Sequence, residues 1–509
     1  MSELEAACIL NNPKLRHDIN FDRELHFRPN LDGERGRAKL QIADDYWTAL
    51  EVELELYTFM ATDSRGAEFR AQPDYYHNMY RFERRIPTMF SAAKEIIVSL
   101  NEKSEMPGIQ ETMDVSFMMQ QIHRGIFDLT PLASYMEVLL KAHCAPMRDA
   151  WVEKTCELMK HGWQTLNVKS VVSGFKELFG LLEAMKLDIA NHQIRHLRPM
   201  LLDSTVGFEQ AFFKLRLDKS SRDPMDVKLA RKWYNNGEHL FDVDTPRSLV
   251  GAHFEHFLTR FLHSLVKPHT ARHAPALPET FKLDIERLVT LRADIHTMVY
   301  NTICFRALAQ LINQLRRTST HHHRATKYLQ DVLPVIVGRG ANAARWVAMS
   351  GNIAVELVRA ATGDFPADLY AAPVQPLKSP FGLSYDSLTN SLETYLQKAL
   401  KEDSSQFELA VTAQLSALSE RVTELVEDHR KYSAQDLVNA FVPRPTFTWV
   451  MDSKRIKKPS APLASIPTEP QDLLEDAAKR AAHISILHWR VWADLVYVAQ
   501  DYDDEEDDE

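Results

Sequence analysis

Six apolar residues constrain this chain most. Val171, Phe175, Leu178, Leu182, Met185 and Ile189 recur at steps of four and three, which places all six on one side of an α-helix but scatters them over both faces of a strand. A stripe of that length needs an apolar partner of similar length, so helices must pack on helices. A second stripe, Val411, Leu415, Leu418, Val422 and Leu425, follows Ser404 and Ser405, which predict a cap. Its spacing also suits a helix that docks into the groove of a partner, although core packing explains it equally well. Only 16 of 509 residues are glycine, less than half the usual ~7%, which disfavours folds rich in glycine turns. Strand and helix patterns do not alternate, and no repeat of fixed period runs along the chain. The expected fold class is all-α: a large multi-helix bundle in one or two lobes, with an extended N-terminal strap and a disordered acidic C-terminal tail.

Composition shifts divide the chain. Residues 1–43 lack helical periodicity, and Ile19, Phe21, Leu25 and Phe27 alternate with polar neighbours, the pattern of an extended strap. Tyr46, Leu50, Leu54, Tyr57 and Met60 then open an N-terminal helical lobe over 44–265. Thr130 and Pro131 read as N-cap and first-turn proline of a further helix. Prolines cluster at 268–278, 366–380 and 459–470. The first precedes a C-terminal helical lobe over 281–450; the last lies in a Pro-rich, basic linker over 451–470. Residues 471–500 form a helix that must dock to bury Leu487, Trp489, Val491 and Trp492, and 501–509 form the acidic tail.

The net charge of -10 is concentrated: the last nine residues carry eight carboxylates, leaving the body near -2. A nearly neutral body has no basic face for nucleic acid or anionic lipid. The apolar segment ISILHWRVWADLVYVAQ contains His488, Arg490 and Asp494, which a membrane span would tolerate poorly, so integral membrane association is not expected. Four widely spaced cysteines without a CxxC pair, together with Glu3 and Glu5 where a signal peptide would be basic, point to a reducing compartment, the cytoplasm. The run KRIKK in the linker suits either a nuclear address or a tether to the acidic tail.

No nucleophile elbow, phosphate loop, zinc-helix motif or kinase signature set occurs. No catalytic, cofactor or metal site is assigned, and the chain is read as a non-enzyme. The competing reading is a helical metal enzyme: His192 and His196 share a helix face with Asp188 one turn before them. They also continue the Val171 stripe, and no third ligand is evident, so packing is the plainer account. His253 and His256 likewise read as a satisfied helix face, and His321, His322 and His323 as a polar loop. Arg316, Arg317, Thr318 and Ser319 form the pattern of basophilic kinases, making Ser319 a candidate phosphosite; Ser460, after Lys457 and Lys458, is a looser one. The plain alternative for both is solvated surface.

Three stretches together resemble the T-complex protein 11 family: INFDRELHFRPN at 19–30, YMEVLLKAHCAPMRD at 135–149 and MKLDIANHQIRHLRP at 185–199. Met147 stands where the family motif more usually has valine, a tolerable swap. The matching polar positions are Asp22, Arg23, His26, Arg28, Cys144, Pro146, Arg148, Asp149, Asn191, Arg198 and Pro199. The resemblance implies an all-helical regulator or adaptor without established enzyme activity, linked to cyclic-AMP and protein kinase A signalling. Its partners would then be proteins, among them protein kinase A subunits or their regulators; the oligomeric state stays open. From the residues themselves, Pro146 should start a helix after Cys144, Asp149 should favour its N-terminus, and Arg148 should seek a carboxylate elsewhere. Arg198 and Pro199 should close the long helix, and a partner-binding role for Arg148 or Arg198 is the alternative to structural pairing.

Overall fold

The computed structural model describes residues 6–29, 31, 33–73, 85–101, 104–218, 223–235, 250–266, 277–315, 317–338, 340–363, 385–443 and 470–498. Among them there is no strand, and the all-α class is as expected. Ser460, the KRIKK run and the acidic tail lie outside the described residues. The chain divides into two units, residues 1–11 with 24–198, and residues 12–23 with 199–509. Residues 199–265, which the proline cluster assigns to the first lobe, therefore group with the second.

In the first unit the helices are Ala6–Asn11 (α1), Gly33–Thr62 (α3), Ser64–Arg70 (α4), Arg85–Leu100 (α5), Met106–Thr112 (α6), Val115–Arg124 (α7), Leu129–His143 (α8), Asp149–Gln164 (α9) and Val168–Asp203 (α10), whose last turn belongs to the second unit. Pro13–Asp18 (α2) also belongs to the second unit. The expected strap is helical in part: α1, α2 and the start of α3 fall within residues 1–43, while residues 19–29, which carry Ile19, Phe21, Leu25 and Phe27, lie outside any helix. Asn12 caps α2 by accepting from the Leu15 amide at 3.1 Å, and Pro13 supplies a first-turn residue with no amide to satisfy. The core of the first unit takes Leu50, Tyr57 and Met60 from α3 and Val171, Phe175, Leu178, Leu182 and Met185 from α10. The stripe ends there: Ile189 is 41% exposed. Glu53, buried on α3, accepts from the amides of Arg85 and Ile86 at 2.8 and 3.2 Å and so satisfies two of the free amides at the N-terminus of α5. Asp128, not Thr130, caps α8, accepting from the Thr130 amide at 2.9 Å.

Pro199 does not close α10. The helix carries it internally and runs on to Asp203, because the next turn buries Leu201 and Leu202 completely, which offsets the one amide hydrogen bond that proline removes.

The second unit adds Thr205–Leu217 (α11), Lys228–Asn235 (α12), Val250–Val266 (α13), Ile285–Gln314 (α14), Ser319–Val337 (α15), Ala343–Ala348 (α16), Ser350–Thr362 (α17), Tyr385–Ala399 (α18), Ser405–His429 (α19), Ala434–Phe441 (α20) and Pro470–Trp492 (α21). Helices α14, α19 and α21 pack on one another. Ala477, Ala478, Ala481 and Ala482 let neighbours approach α21 closely, and all residues from 481 to 488 are buried. Arg421 on α19 grips Glu475 on α21 with two hydrogen bonds of 2.6 and 3.0 Å. In the stripe of α19, Val411, Leu418, Val422 and Leu425 are buried in this core and Leu415 packs against it, so that face is filled from within the chain. Ser404 caps α19 as expected, accepting from the Phe407 amide at 3.0 Å.

The expected loop at His321 to His323 is the first turn of α15. Thr318 caps it, and His321 is buried with its Nε2 donating to the Ala361 carbonyl at 2.9 Å.

Candidate interaction site: the tethers of the motif segments

In the first unit, the central and third motif stretches meet through Arg148. Cys144 ends α8, Pro146 opens a short 3-10 turn at Pro146–Arg148, and Asp149 occupies the first turn of α9, favourably placed for the helix dipole. Arg148 donates from Nε and Nη2 to the two oxygens of Asp188 at 2.7 and 2.9 Å, a planar fork. The Cys144 thiol donates to Asp149 at 3.3 Å, and burial together with that carboxylate pushes the thiol up. Arg148 has found the carboxylate it was expected to seek. Met147 is 86% exposed, so its replacement of valine disturbs no packing.

Asn191 on α10 joins the first motif to the third. Its Nδ2 donates to the Phe27 carbonyl at 3.0 Å and its Oδ1 accepts from the Phe27 amide, so one side chain satisfies both backbone groups as a neighbouring strand would. His26 is exposed and its Nδ1 donates to the Glu24 carbonyl at 2.7 Å; Arg28 is exposed. Arg198 is half-buried and Pro199 exposed.

His192 and His196 lie exposed on α10, not packed as their place in the stripe suggested. The helix has turned its apolar face by Ile189, and Asp188 is engaged by Arg148. Among the described residues no three His, Cys, Asp or Glu side chains converge as a metal would require. His253 and His256 behave as the helix-face reading expects: the Tyr234 hydroxyl pairs with His253 Nδ1 at 3.0 Å, and His256 Nε2 donates to the Tyr234 carbonyl at 2.8 Å.

The densest polar arrangement was not singled out from sequence. In the second unit, His17 of α2 is 3% exposed and sits between two carboxylates, with Nδ1 3.0 Å from Glu209 on α11 and Nε2 2.9 Å from Asp284, the last residue of the 3-10 turn Glu279–Asp284. Arg287 on α14 binds Asp284 at 2.9 Å, also binds Asp18, and covers the ring of Phe21 at 4.1 Å. Arg16 binds the Ser204 hydroxyl and covers Phe208 at 4.1 Å. Three cations thus lie among three carboxylates. Burial alone would push His17 down; Asp284 and Glu209 overcome it and hold the imidazole charged. Burial alone would push Asp284 up; His17 and Arg287 overcome it and hold the carboxylate ionised. His483 and His488 of α21 are held neutral by burial, which outweighs the attraction of Asp284. Next to this cluster, Asn20 donates to the Arg16 and His17 carbonyls, and Arg23 donates to the Val438 carbonyl at 2.9 Å. Asp22 is exposed. The available sequence signals were the Asn12–Pro13 helix start and Glu209 within the apolar run FEQAFF.

These arrangements define a helical protein whose motif side chains tie chain segments together. A family model described as T-complex protein 11 matches residues 15–501. The chain belongs to the T-complex protein 11 family. It is similar to Protein SOK1 of Saccharomyces cerevisiae, 31% identical over 368 residues that make up 70% of this chain and 39% of that protein. It is also similar to the T-complex protein 11 homolog of Rattus norvegicus, 29% identical over 37% of this chain and 34% of that protein. With T-complex protein 11 of Mus musculus the identity is 27% over 34% and 31% of the two chains. The chain therefore spans less than half the length of these curated relatives. No solved structure matches it. No helix among the described residues is long and apolar enough to cross a membrane.

Proposed function

We propose that this chain is a non-enzymatic, cytoplasmic regulator or adaptor that binds proteins of the cyclic-AMP and protein kinase A pathway. The observation that carries the reading is the family match over residues 15–501, since the pathway link is what membership in this family implies. The geometry is compatible with it. Arg148, Asp188 and Asn191 are engaged in internal tethers, and the outer helix faces are where a partner protein would be recognised. Affinity purification of the full chain from cells, with protein kinase A subunits and their regulators scored among the recovered proteins, tests the reading. Recovery of kinase subunits or their regulators above a control is expected; recovery of neither contradicts it.

A second role, as a kinase substrate, is favoured at Ser319. The serine is exposed at the first position of α15, where a phosphate would meet the positive end of the helix dipole. Arg317 donates to the Thr362 carbonyl, so a kinase must free that arginine before reading it. Phosphate on Ser319 under active kinase, and its loss in Ser319→Ala, is the expected outcome; an unmodified serine under active kinase rules the role out.

A further inference from the structure

Among its described residues the first unit shows an apolar recess of about 170 Å³, lined by α3, α5, α7, α8, α9 and α10 and partly open to solvent. Phe90 lines it, with the rings of Phe127 and Phe175 edge-on to it at 6.2 and 5.7 Å, and Trp163 edge-on to Phe127 at 5.6 Å. No charged side chain is among its described lining residues. The hydroxyls in the wall are already used: Thr58 donates to the Leu54 carbonyl at 2.9 Å, Thr62 donates to the Thr58 carbonyl at 2.8 Å, and Tyr57 pairs with His123 at 3.4 Å. Such a recess offers nothing to a polar group and stays dry when empty. Its volume is close to the roughly 150 Å³ in which an engineered apolar cavity takes up benzene.

The rim carries a second, independent oddity. Leu166, in the turn between α9 and α10, has φ +54, the one positive φ at a non-glycine residue among those described, and its side chain is 61% exposed beside the cavity. Glycine or asparagine would adopt this backbone readily, whereas leucine is strained there. The Leu166 amide donates to the Trp163 carbonyl at 3.2 Å and the Asn167 amide to the Gly162 carbonyl at 2.8 Å, so this φ is the left-handed close of α9, and it leaves a large apolar side chain, where glycine is usual, at the edge of the apolar recess.

We propose that the cavity is a binding site for the alkyl chain of a small amphiphile. The hydrocarbon end enters among Phe90, Phe127 and Phe175, Leu166 packs on the part that emerges, and the polar head remains in water. This site is separate from the protein-binding reading above and does not depend on it.

Calorimetric titration of the full chain with 1-hexanol, 1-octanol, 1-decanol and decanoate tests the assignment. One saturable site is expected, tightening about four-fold per added methylene until the recess is full, with decanol and decanoate binding alike because the head contacts no partner. Thr58→Phe, which fills the recess, and Thr62→Trp, which covers it from an exposed position, should each weaken binding by roughly ten-fold or more. Leu166→Gly should weaken binding without lowering the melting temperature, a combination that a purely structural leucine would not give. Absence of saturable binding by the folded wild-type chain overturns the proposal. So does undiminished binding by Thr62→Trp, a surface change that decides the matter even if Thr58→Phe does not fold.

Discussion

At the residue scale, His17 ties three segments of the second unit together. It is a buried imidazolium whose two carboxylate partners lie 192 and 267 positions away in the chain. Glu209→Gln would leave part of that charge uncompensated and should cost about 3–5 kcal/mol, read by denaturant unfolding. The pH dependence follows from linkage. His17 is raised from 6.5 to about 10, so its contribution is complete below pH 6.5 and is lost as pH climbs through about 10. His483 and His488 are lowered from 6.5 to about 3, so theirs is present above pH 6.5 and is lost as pH falls toward about 3. Asp284, lowered from 3.8 to about 2, adds a further loss below pH 3.8. Stability should therefore peak near pH 6.5, and His17→Gln should flatten the alkaline limb and also shrink the loss below pH 3.8, because Asp284 loses the cation that lowers it most, while the loss from His483 and His488 between pH 6.5 and about 3 remains. Sequence reasoning foresaw that Arg148 needs a carboxylate, because a guanidinium beside a helix start cannot stay buried alone. It did not foresee Asp188 as that partner or His17 at all, since pairings so distant in sequence leave no local periodicity to read.

At the element scale, caps and stripes were legible wherever local chemistry decides. Ser404 is one such position. Replacing it by alanine removes the acceptor for the Phe407 amide and should lower stability by about 1 kcal/mol, with Ser404→Gly costing only a few tenths; equal losses for the two would show that the cap is not the cause. Helix ends that depend on packing were not legible. Pro199 looks like a terminator, yet α10 passes through it because Leu201 and Leu202 are buried one turn later. The first 43 residues read as extended because Ile19 and Phe21 alternate with polar residues, but they follow α2 and pack on different partners, Phe21 against His483 at 4.6 Å.

At the scale of the whole molecule, each unit has its own core, and the two cores share no residue. Leu182 is fully buried in the first and Leu418 is 1% exposed in the second. Either leucine replaced by alanine should cost about 2–5 kcal/mol. Hydrogen exchange should then rise only in the unit that carries the change: in α5, α8 and α10 for Leu182→Ala, and in α14, α19 and α21 for Leu418→Ala. Faster exchange throughout both units from either variant would mean that the cores open as one. The all-helical class was legible because two long stripes and scarce glycine leave little else to build. The division at residue 198 was not, because it falls inside a continuous helix and no proline cluster or composition shift marks it.

The proposed binding of protein kinase A pathway proteins is tested most directly by titrating the purified full chain with purified regulatory and catalytic subunits of the kinase and following binding by calorimetry, with and without cyclic AMP. Saturable binding of at least one subunit, unchanged in His192→Ala and His196→Ala, is the predicted result; folded chain that binds neither subunit in either condition, and recovers no regulator of the kinase from cells, would contradict it.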